Sequence, residues 1–258
     1  MTNHILFTVD VEEFDTAPEF GHTIDLAEQI AVSKRGLTLL AERFDALAAR
    51  TTLFTTANYA LHEPAQIKAL ARKHEIASHG YFHSTFEPAD LLKSRLALEE
   101  LVGEPVTGFR RARMGYVDPI DVQAAGYQYN SSLHPTFIPG RYNHLNEPRL
   151  PFRESGVLQI PASVTPRLRL PLFWLSLKNF PFGLYKALAR QTLRADGFVN
   201  IYVHPWEFTD LSGYNKIPAY VQRHSNGHLL DRVENLLRYL RNDGEFMTMG
   251  EFASLTPG

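Results

Sequence analysis

The feature that most constrains the fold of this chain is a repeated alternation of short β-rich runs with stretches of helical periodicity. The first pair is an apolar strand at residues 5–11 and a stretch at 36–48 in which large apolar residues recur at helical spacing. The same order of strand and helix recurs about eight times along the chain. Such alternation is typical of a mainly parallel sheet covered by helices, either open or closed into a barrel.

The remaining elements follow the same pattern. Predicted strands lie at 51–56, 75–78, 106–110, 127–130, 157–162, 198–204 and 245–249, and predicted helices lie at 64–73, 88–102, 119–125 and 218–241. No repeat and no linker separates two parts, so we expect a single domain over residues 1–258.

Two stretches interrupt this order. Residues 136–151 are rich in Pro, Asn, His and Arg and are interpreted as a long surface excursion. Residues 167–185 are apolar but broken by two prolines and a lysine. We interpret them as a loop and helix that cover the core, with an interfacial or substrate-binding segment as the alternative.

Composition excludes several classes of function. The 258 residues include 11 histidines and no cysteine, so any metal must be held by histidine and carboxylate. Lys and Arg number 26 against 28 Asp and Glu, a net charge of -2 that lacks the basic field needed for nucleic acid. With no signal peptide and no long apolar stretch, we expect a soluble cytoplasmic protein without a transmembrane segment. The oligomeric state is left open.

Two histidines four residues apart give the sharpest local signal. His79 and His83 close the run Glu-Ile-Ala-Ser-His-Gly-Tyr-Phe-His, and on a helical turn this spacing places both imidazoles on one side. Two imidazoles so placed could bind one cation. Among 11 histidines a chance pair is unsurprising. The position of His79 directly after a predicted strand favours a metal site, because barrel strands gather catalytic groups at their ends.

Asp10 and Glu12 end the first predicted strand. Because alternate residues of a strand share a face, the two carboxylates would project together. Two carboxylates at such a short distance repel each other unless a cation or an arginine compensates their negative charge. An ordinary solvated acidic turn is the alternative interpretation.

Arg110 and His204 each follow a predicted strand as well. A guanidinium keeps its charge and can hold a neighbouring aspartate ionised, whereas we interpret Arg111 and Arg113 as a surface basic cluster. A histidine such as His204, at the end of a buried strand, is placed for proton transfer near pH 7, although a single such histidine is more often structural.

Taken in order, these four segments resemble the polysaccharide deacetylase family, the NodB-homology domain of carbohydrate esterase family 4, over residues 5–252. The run at 75–83 resembles the family's second motif, and Tyr-Val-His-Pro-Trp-Glu at 202–207 resembles its last. The first motif, Asp-Val-Glu, is similar to that of branches of the family that space their acids by two, and the branch with His-Pro-Trp-Glu at the end is linked to exopolysaccharide biosynthesis. The resemblance implies a distorted (β/α) barrel of seven or eight mainly parallel strands. It also implies a metal-dependent hydrolase that removes an N-acyl group, such as acetyl, from an amino sugar of a polysaccharide or its precursor.

The resemblance carries roles to single positions. It makes Asp10 the general base, Arg110 the partner that keeps this aspartate charged, and His204 the general acid. The implied ligands of a divalent metal ion, Zn²⁺ by preference, are Glu12, His79 and His83. Such a metal polarises the acyl carbonyl and lowers the pKa of water.

The resemblance also bears on further positions. Glu13 is an alternative to Glu12 as the ligand, and Met114 falls near the residue whose backbone N–H contacts the oxyanion. Ala112 stands where the third motif has proline, which puts the shape of that loop in doubt. The aspartate that orients the histidine acid in the family is expected within residues 157–171, and that range contains none.

Two other functions compete with this prediction. One is hydrolysis of a different C–N bond, in a ureide, a cyclic imide or a lipid-linked N-formyl sugar. The other is a non-catalytic barrel that binds carbohydrate. A carbohydrate or a lipid-linked sugar is the partner that we expect, and the apolar residues 167–185 favour the lipid-linked form.

Overall fold

Eleven strands and eleven α-helices follow one another in the computed structural model, which describes residues 2–256. The strands are β1 (His4–Val11), β2 (Thr52–Thr55), β3 (Glu75–Ser78), β4 (Gly108–Phe109), β5 (Tyr129–Asn130), β6 (Phe137–Ile138), β7 (Tyr142–Asn143), β8 (Phe152–Glu154), β9 (Val157–Gln159), β10 (Phe198–Val203) and β11 (Glu245–Phe246). The helices are α1 (Thr16–Glu19), α2 (Leu26–Leu47), α3 (Ala57–His62), α4 (Pro64–Ala71), α5 (Ala89–Val102), α6 (Pro119–Ala124), α7 (Trp174–Asn179), α8 (Phe182–Asp196), α9 (Ala219–Gln222), α10 (Gly227–Leu240) and α11 (Met249–Leu255). Two 3-10 turns, Ala112–Met114 and Pro205–Phe208, follow β4 and β10.

The main sheet has the strand order β10-β1-β2-β3-β4-β5-β9-β8, with β11 paired to the first residues of β1. Its neighbouring strands are parallel except for β8, which runs antiparallel to β9. The segment after β9 also reaches β10: the Ser163 N–H donates to the Asn200 carbonyl at 2.9 Å, and the Asn200 N–H donates to Ser163 Oγ at 2.8 Å. Within residues 2–256, seven parallel strands therefore enclose a distorted (β/α) barrel, which confirms the predicted fold.

The alternation of side chains along each strand divides the core in two. On β1, Ile5, Phe7, Val9 and Val11 belong to the outer apolar cluster that packs against the helices. The intervening Leu6 belongs to a separate inner cluster, which also includes Phe54, Ala77, Tyr129, Leu158, Ile160, Phe198, Met249 and Phe252. Met249 and Phe252 lie on α11, so this helix contributes to the apolar layer inside the barrel. The polar residues of β1 come after this layer, toward the carboxyl ends of the strands.

Two helices differ from their predicted bounds. Helix α2 begins ten residues before the predicted Gly36, at Leu26, where the Asp25 side chain accepts a hydrogen bond from the Glu28 N–H at 2.8 Å. Gly36 lies in the middle of this helix. A glycine is required at this position because an added Cβ would sit 1.8 Å from the Pro205 carbonyl oxygen. The single helix predicted at 218–241 is two helices, α9 and α10, separated at Asn226, whose φ is +73°.

The two interrupting stretches have different structures. Residues 136–151 contain the small antiparallel pair β6 and β7. Residues 167–185 contain α7 and the start of α8, and Leu172, Leu177 and Tyr185 are fully buried in the outer core. The prediction of a core-covering segment is confirmed, and part of it also faces the candidate site. Among residues 2–256, no helix is both long and apolar enough to cross a membrane.

Candidate metal centre and active site

A cavity of about 250 Å³ opens at the carboxyl ends of β1 and β10. Its polar lining includes Asp10, Glu12, His83 and His204. Its aromatic lining consists of Phe20, Tyr142, Phe173, Trp174, Tyr202, Trp206 and Tyr220. The carboxyl ends of barrel strands are where catalytic groups collect in (β/α) barrels, so this cavity is the candidate functional site.

Glu12, His79 and His83 meet at one wall of this cavity. Glu12 Oε2 lies 3.3 Å from His79 Nε2 and 2.9 Å from His83 Nε2, and the two imidazoles stack with centroids 5.7 Å apart. One atom from each of the three residues lies within 4.8 Å of the others, and among residues 2–256 no other group of three has this arrangement. The structure thus brings together the three ligands that the sequence predicts.

The two histidines reach each other through a loop and not through the helical turn that their spacing predicts. Strand β3 ends at Ser78, and residues 79–83 continue as an irregular loop that reverses at Gly80, where φ is +91°. The loop is held against the start of α3, where the Ala57 N–H donates to the Gly80 carbonyl at 3.0 Å. The helical interpretation was wrong: pairing with neighbouring strands keeps the backbone extended up to Ser78, and the chain then turns at Gly80 without forming a helix.

The outer nitrogen of each imidazole has a partner that turns the other nitrogen toward Glu12. His79 Nδ1 donates to the Arg110 carbonyl at 2.9 Å, and His83 Nδ1 donates to Asp15 Oδ2 at 2.6 Å. In the neutral form of each ring these bonds place the proton on Nδ1 and direct the Nε2 lone pair toward Glu12, which is the arrangement of metal-binding histidines.

Glu12 is positioned in the same way. Its Oε1 accepts a hydrogen bond from Trp206 Nε1 at 3.0 Å. Its buried Oε2 and the buried Nε2 of His79 both lack a hydrogen-bond donor. Burial favours the neutral acid, but the imidazoles of His83 and His204 hold the pKa of Glu12 well below its usual range. One carboxylate and two imidazoles with unpartnered atoms fit a divalent cation of the zinc type.

Asp10 lies beside this group and is held by Arg110. Arg110 is fully buried and donates from one terminal nitrogen to Asp10 Oδ1 at 2.6 Å and to Thr8 Oγ1 at 2.8 Å. The guanidinium also donates to the Ser131 carbonyl and hydroxyl, at 3.2 and 3.0 Å, and lies 4.1 Å over the Phe54 ring. Asp10 Oδ2 remains directed toward His204 Nε2, 4.0 Å away.

His204 is oriented by Glu207, a residue that the sequence analysis missed. Glu207 Oε1 accepts hydrogen bonds from the His204 N–H at 2.8 Å and from His204 Nδ1 at 2.9 Å. The acid expected within residues 157–171 is thus replaced by one three positions after the histidine. The signal was present in the sequence, since a glutamate three residues after the first residue of a turn is the spacing of a capping box.

Two other predicted positions, Glu13 and Arg113, have surroundings that differ from those expected. Glu13, the alternative ligand, accepts hydrogen bonds from Thr56 Oγ1 and Asn58 Nδ2 and does not join the cluster. Arg113 lies at the surface, as predicted, but its guanidinium pairs with Glu19 and, at 3.1 Å, with Asp15, the residue that holds His83.

Arg111 and Met114 complete the loop after β4. Arg111 lies at the surface, with its guanidinium 4.1 Å over the Phe86 ring. The Met114 N–H donates to the Arg111 carbonyl at 3.2 Å, so the expected oxyanion donor is engaged within the turn. Both Arg113 and Met114 have positive φ, +60° and +52°, which is unusual for residues with side chains. The loop, in which Ala112 stands where the resemblance implies a proline, therefore has a strained backbone beside the cavity.

Comparison with solved structures identifies the class of fold. A protein from Mycobacterium smegmatis described as a polysaccharide deacetylase is 19% identical, with a TM-score of 0.69 over 98% of this chain and 90% of that one. PuuE allantoinase is 17% identical, with a TM-score of 0.67 over 97% and 89%. A protein from Pseudomonas aeruginosa PAO1 described as a polysaccharide deacetylase is 16% identical, with a TM-score of 0.66 over 97% and 89%. The chain therefore has the polysaccharide deacetylase fold.

Comparisons by sequence add nothing to this assignment. No model of a known protein family matches the chain, and no curated protein matches it.

Proposed function

We propose that this chain is a metal-dependent hydrolase that removes an N-acyl group, acetyl by preference, from an amino sugar of a polysaccharide or its precursor. One observation carries the proposal: a Glu-His-His cluster, an Arg-held aspartate and a Glu-held histidine face one cavity. A non-catalytic carbohydrate-binding barrel is less well supported, because binding alone needs no such set of buried, paired ionisable groups.

In this proposal Glu12, His79 and His83 hold the metal ion. The chemistry that a divalent metal such as Zn²⁺ supplies when bound is polarisation of a carbonyl and a lower pKa of water. Asp15 and the Arg110 carbonyl keep the two imidazoles in the tautomer that binds a cation.

Asp10 acts as the general base. Its Oδ1 is held by Arg110, so its Oδ2 is the atom that receives the proton of the attacking water. The guanidinium keeps its charge, so Asp10 remains paired with Arg110 through the reaction. Because Arg110 is anchored by Ser131 and Thr8, the direction of Oδ2 is fixed before substrate binds.

His204 acts as the general acid. Its Nδ1–H is held by Glu207, so its Nε2 faces the cavity and is the atom that donates a proton to the departing amine. Burial disfavours the charged imidazole, but Glu12 and Glu207 outweigh it and raise the pKa of His204. The protonated form that a general acid needs is thereby favoured.

The aromatic lining is suited to a sugar ring. Phe173 and Trp174 contribute two apolar walls, and Tyr202 contributes a third from β10. Rigid aromatic faces with a few polar groups between them are typical of small-molecule sites. Leu175, on the same helix as Trp174, extends the apolar wall, which supports a lipid-linked sugar as the precursor substrate.

A second candidate is hydrolysis of the C–N bond of a ureide or cyclic imide. The enclosed volume of about 250 Å³ suits a small ring as well as one sugar residue, and one structural neighbour is an allantoinase. The catalytic residues and the metal ligands would be the same in both cases.

The test is a screen of the purified protein loaded with Zn²⁺ or Co²⁺. We expect acetate release from N-acetylated amino sugars, and loss of that release in Asp10→Asn and His204→Ala. Glu104→Gln changes an exposed carboxylate at the amino ends of the strands and serves as the control. Ammonia release from ureides alone would favour the second candidate. Metal binding without hydrolysis of any of these substrates would contradict both enzymatic functions.

A further inference from the structure

The structure contains a fully buried lysine directly behind the proposed acid. Lys178 lies on α7, and its Nζ is 3.1 Å from Glu207 Oε2. The same Nζ donates to the Val221 carbonyl at 2.8 Å and to Ser225 Oγ at 3.3 Å. Burying an ammonium group away from water is unfavourable unless the group is paired, so this lysine requires an explanation.

Glu207 connects this lysine to His204. One carboxylate oxygen faces the lysine, and the other accepts both hydrogen bonds from His204. Both Lys178 and Glu207 have no solvent-exposed side-chain surface. The chain of contacts thus runs from Lys178 through Glu207 to the imidazole of His204. Its last atom, His204 Nε2, faces the cavity and lies 4.0 Å from Asp10 Oδ2.

We propose that Lys178 is a positioning residue for the general acid: it fixes the Glu207 carboxylate, and through it the orientation and tautomer of His204. The inference rests on the proposed function, since it gives that same site a further component. Lys178 lines no part of the cavity, so it acts through Glu207 and not on the substrate.

The charge of Lys178 is what this role needs. Burial raises the pKa of Glu207, but the Lys178 ammonium and His204 outweigh it and hold that pKa below its usual range. If the ammonium were removed, burial would favour a neutral carboxylic acid. A neutral acid donates a hydrogen bond from its O–H, so it would turn the acceptor nitrogen of the imidazole toward itself and reverse the tautomer of His204.

The surroundings of Lys178 also distinguish this role from simple packing. A buried ion pair is often no more stabilising than apolar residues of the same volume, so stability alone does not account for it. The lysine Nζ lies 5.5 Å from the rings of Trp174 and Trp206, and these two rings contact His204 on its edge and on its face. Helix α7 thus contributes both a wall of the cavity and the charge behind the acid.

The first test is Lys178→Met, which keeps an unbranched side chain, one atom shorter than that of lysine, and removes the charge. We expect kcat to fall by about ten- to a hundredfold, less than the 10²–10⁴ that a direct general acid contributes, with KM and metal content unchanged. Adding Lys178→Met to Glu207→Gln should cause little further loss, because both act on one bond to His204. The control is Lys186→Met, a lysine of α8 that lies over Phe182 and Tyr239 outside the cavity.

Lys178→Arg keeps the positive charge, so it distinguishes the effect of losing the charge from an effect on folding. The kcat of Lys178→Arg should fall less than that of Lys178→Met. An equal loss of kcat in the two variants would contradict the proposal. Losses that add fully in the double variant would also contradict it, since Lys178 would then act independently of Glu207.

A readout independent of activity is the tautomer of His204, measured by ¹H–¹⁵N NMR at a pH where the ring is neutral. The wild-type protein should carry its proton on Nδ1, and Lys178→Met should shift it to Nε2. An unchanged tautomer in Lys178→Met would overturn the positioning role. Absence of hydrolysis in the wild-type protein, with the expected change of tautomer, would instead overturn the proposed function and leave the positioning role supported.

Discussion

Glu207 accepts hydrogen bonds from both the backbone N–H and the ring Nδ1 of His204, at 2.8 and 2.9 Å. The first bond caps the 3-10 turn that follows β10, and the second orients the imidazole. One oxygen makes both bonds, and in this arrangement His204 Nε2 faces the cavity. Local backbone structure and the geometry of the proposed acid are therefore set by the same carboxylate.

The first prediction concerns this carboxylate. Glu207→Gln should lower kcat by about ten- to a hundredfold, since the amide no longer favours the charged imidazole, and the pH at which His204 loses its proton should fall. The pH dependence of kcat checks both effects. Glu234→Gln, on α10, where the half-buried carboxylate pairs with Arg238 and Arg43 away from the cavity, is the control. A kcat profile like that of the wild-type protein would contradict the role of Glu207.

The second prediction distinguishes two adjacent glutamates. Glu12→Gln should abolish stoichiometric metal binding, because it removes the charged oxygen that His79 and His83 face. Glu13→Gln should leave metal content unchanged, since Glu13 is held by Thr56 and Asn58. Elemental analysis after dialysis against Zn²⁺ measures both. The reverse result would make Glu13 the ligand.

The third prediction concerns the residue behind His83. Asp15 accepts the Nδ1–H of His83 at 2.6 Å and pairs with Arg113. Asp15→Asn should weaken Zn²⁺ affinity by about 10- to 100-fold, as is usual for partners of metal-binding histidines. Competition with a chromophoric chelator gives the affinity. Asp45→Asn, whose carboxylate pairs with Lys73 at the surface, should have no effect, and an equal loss there would point to a general change in charge.

The fourth prediction concerns stability at acid pH. Burial lowers the pKa of His74 to about 4 and that of His134 to about 3, and both ring nitrogens of His74 lack a hydrogen-bond partner. The unfolded chain binds a proton at each of these residues near pH 6.5, and the folded protein does not. Stability is therefore complete above pH 6.5 and falls below it by about 1.4 kcal/mol per pH unit for each histidine, down to its folded pKa.

His74→Phe is the substitution that tests this. The Phe side chain can take the place of the imidazole against Phe44 and cannot be protonated. Urea unfolding at pH 7.5, 6 and 5 should show a smaller loss of stability in the variant than in the wild-type protein. The same loss in both proteins would show that His74 does not contribute.

The fifth prediction concerns the apolar wall. Leu175→Asp places a charge beside the cavity and should raise KM for a lipid-linked amino sugar much more than for a soluble one. Leu184→Asp, an exposed position on α8, is the control. Equal effects on both substrates would remove the support for a lipid-linked precursor.

The sequence predicted most of the barrel because periodicity reports which face of an element is buried. The bounds of β3 were predicted without error, and those of β1 and β2 within two residues. The helix predicted at 218–241 was wrong in its middle, since apolar spacing continues on both sides of a break at Asn226 that only the backbone shows. The loop of His79 and His83 was interpreted as helical because two residues four apart are neighbours in a helix and can also meet across a turn.

What the sequence by itself determined is the shared direction of Asp10 and Glu12, because side chains on a strand alternate whatever the rest of the chain does. It also determined that imidazole and carboxylate are the available metal ligands, since the chain has no cysteine. Only the tertiary structure decided the partners behind the site: Asp15 for His83 and Lys178 for Glu207. The physical reason is that a buried charge must find its partner in space, and the closure of the barrel brings together elements that are distant along the chain.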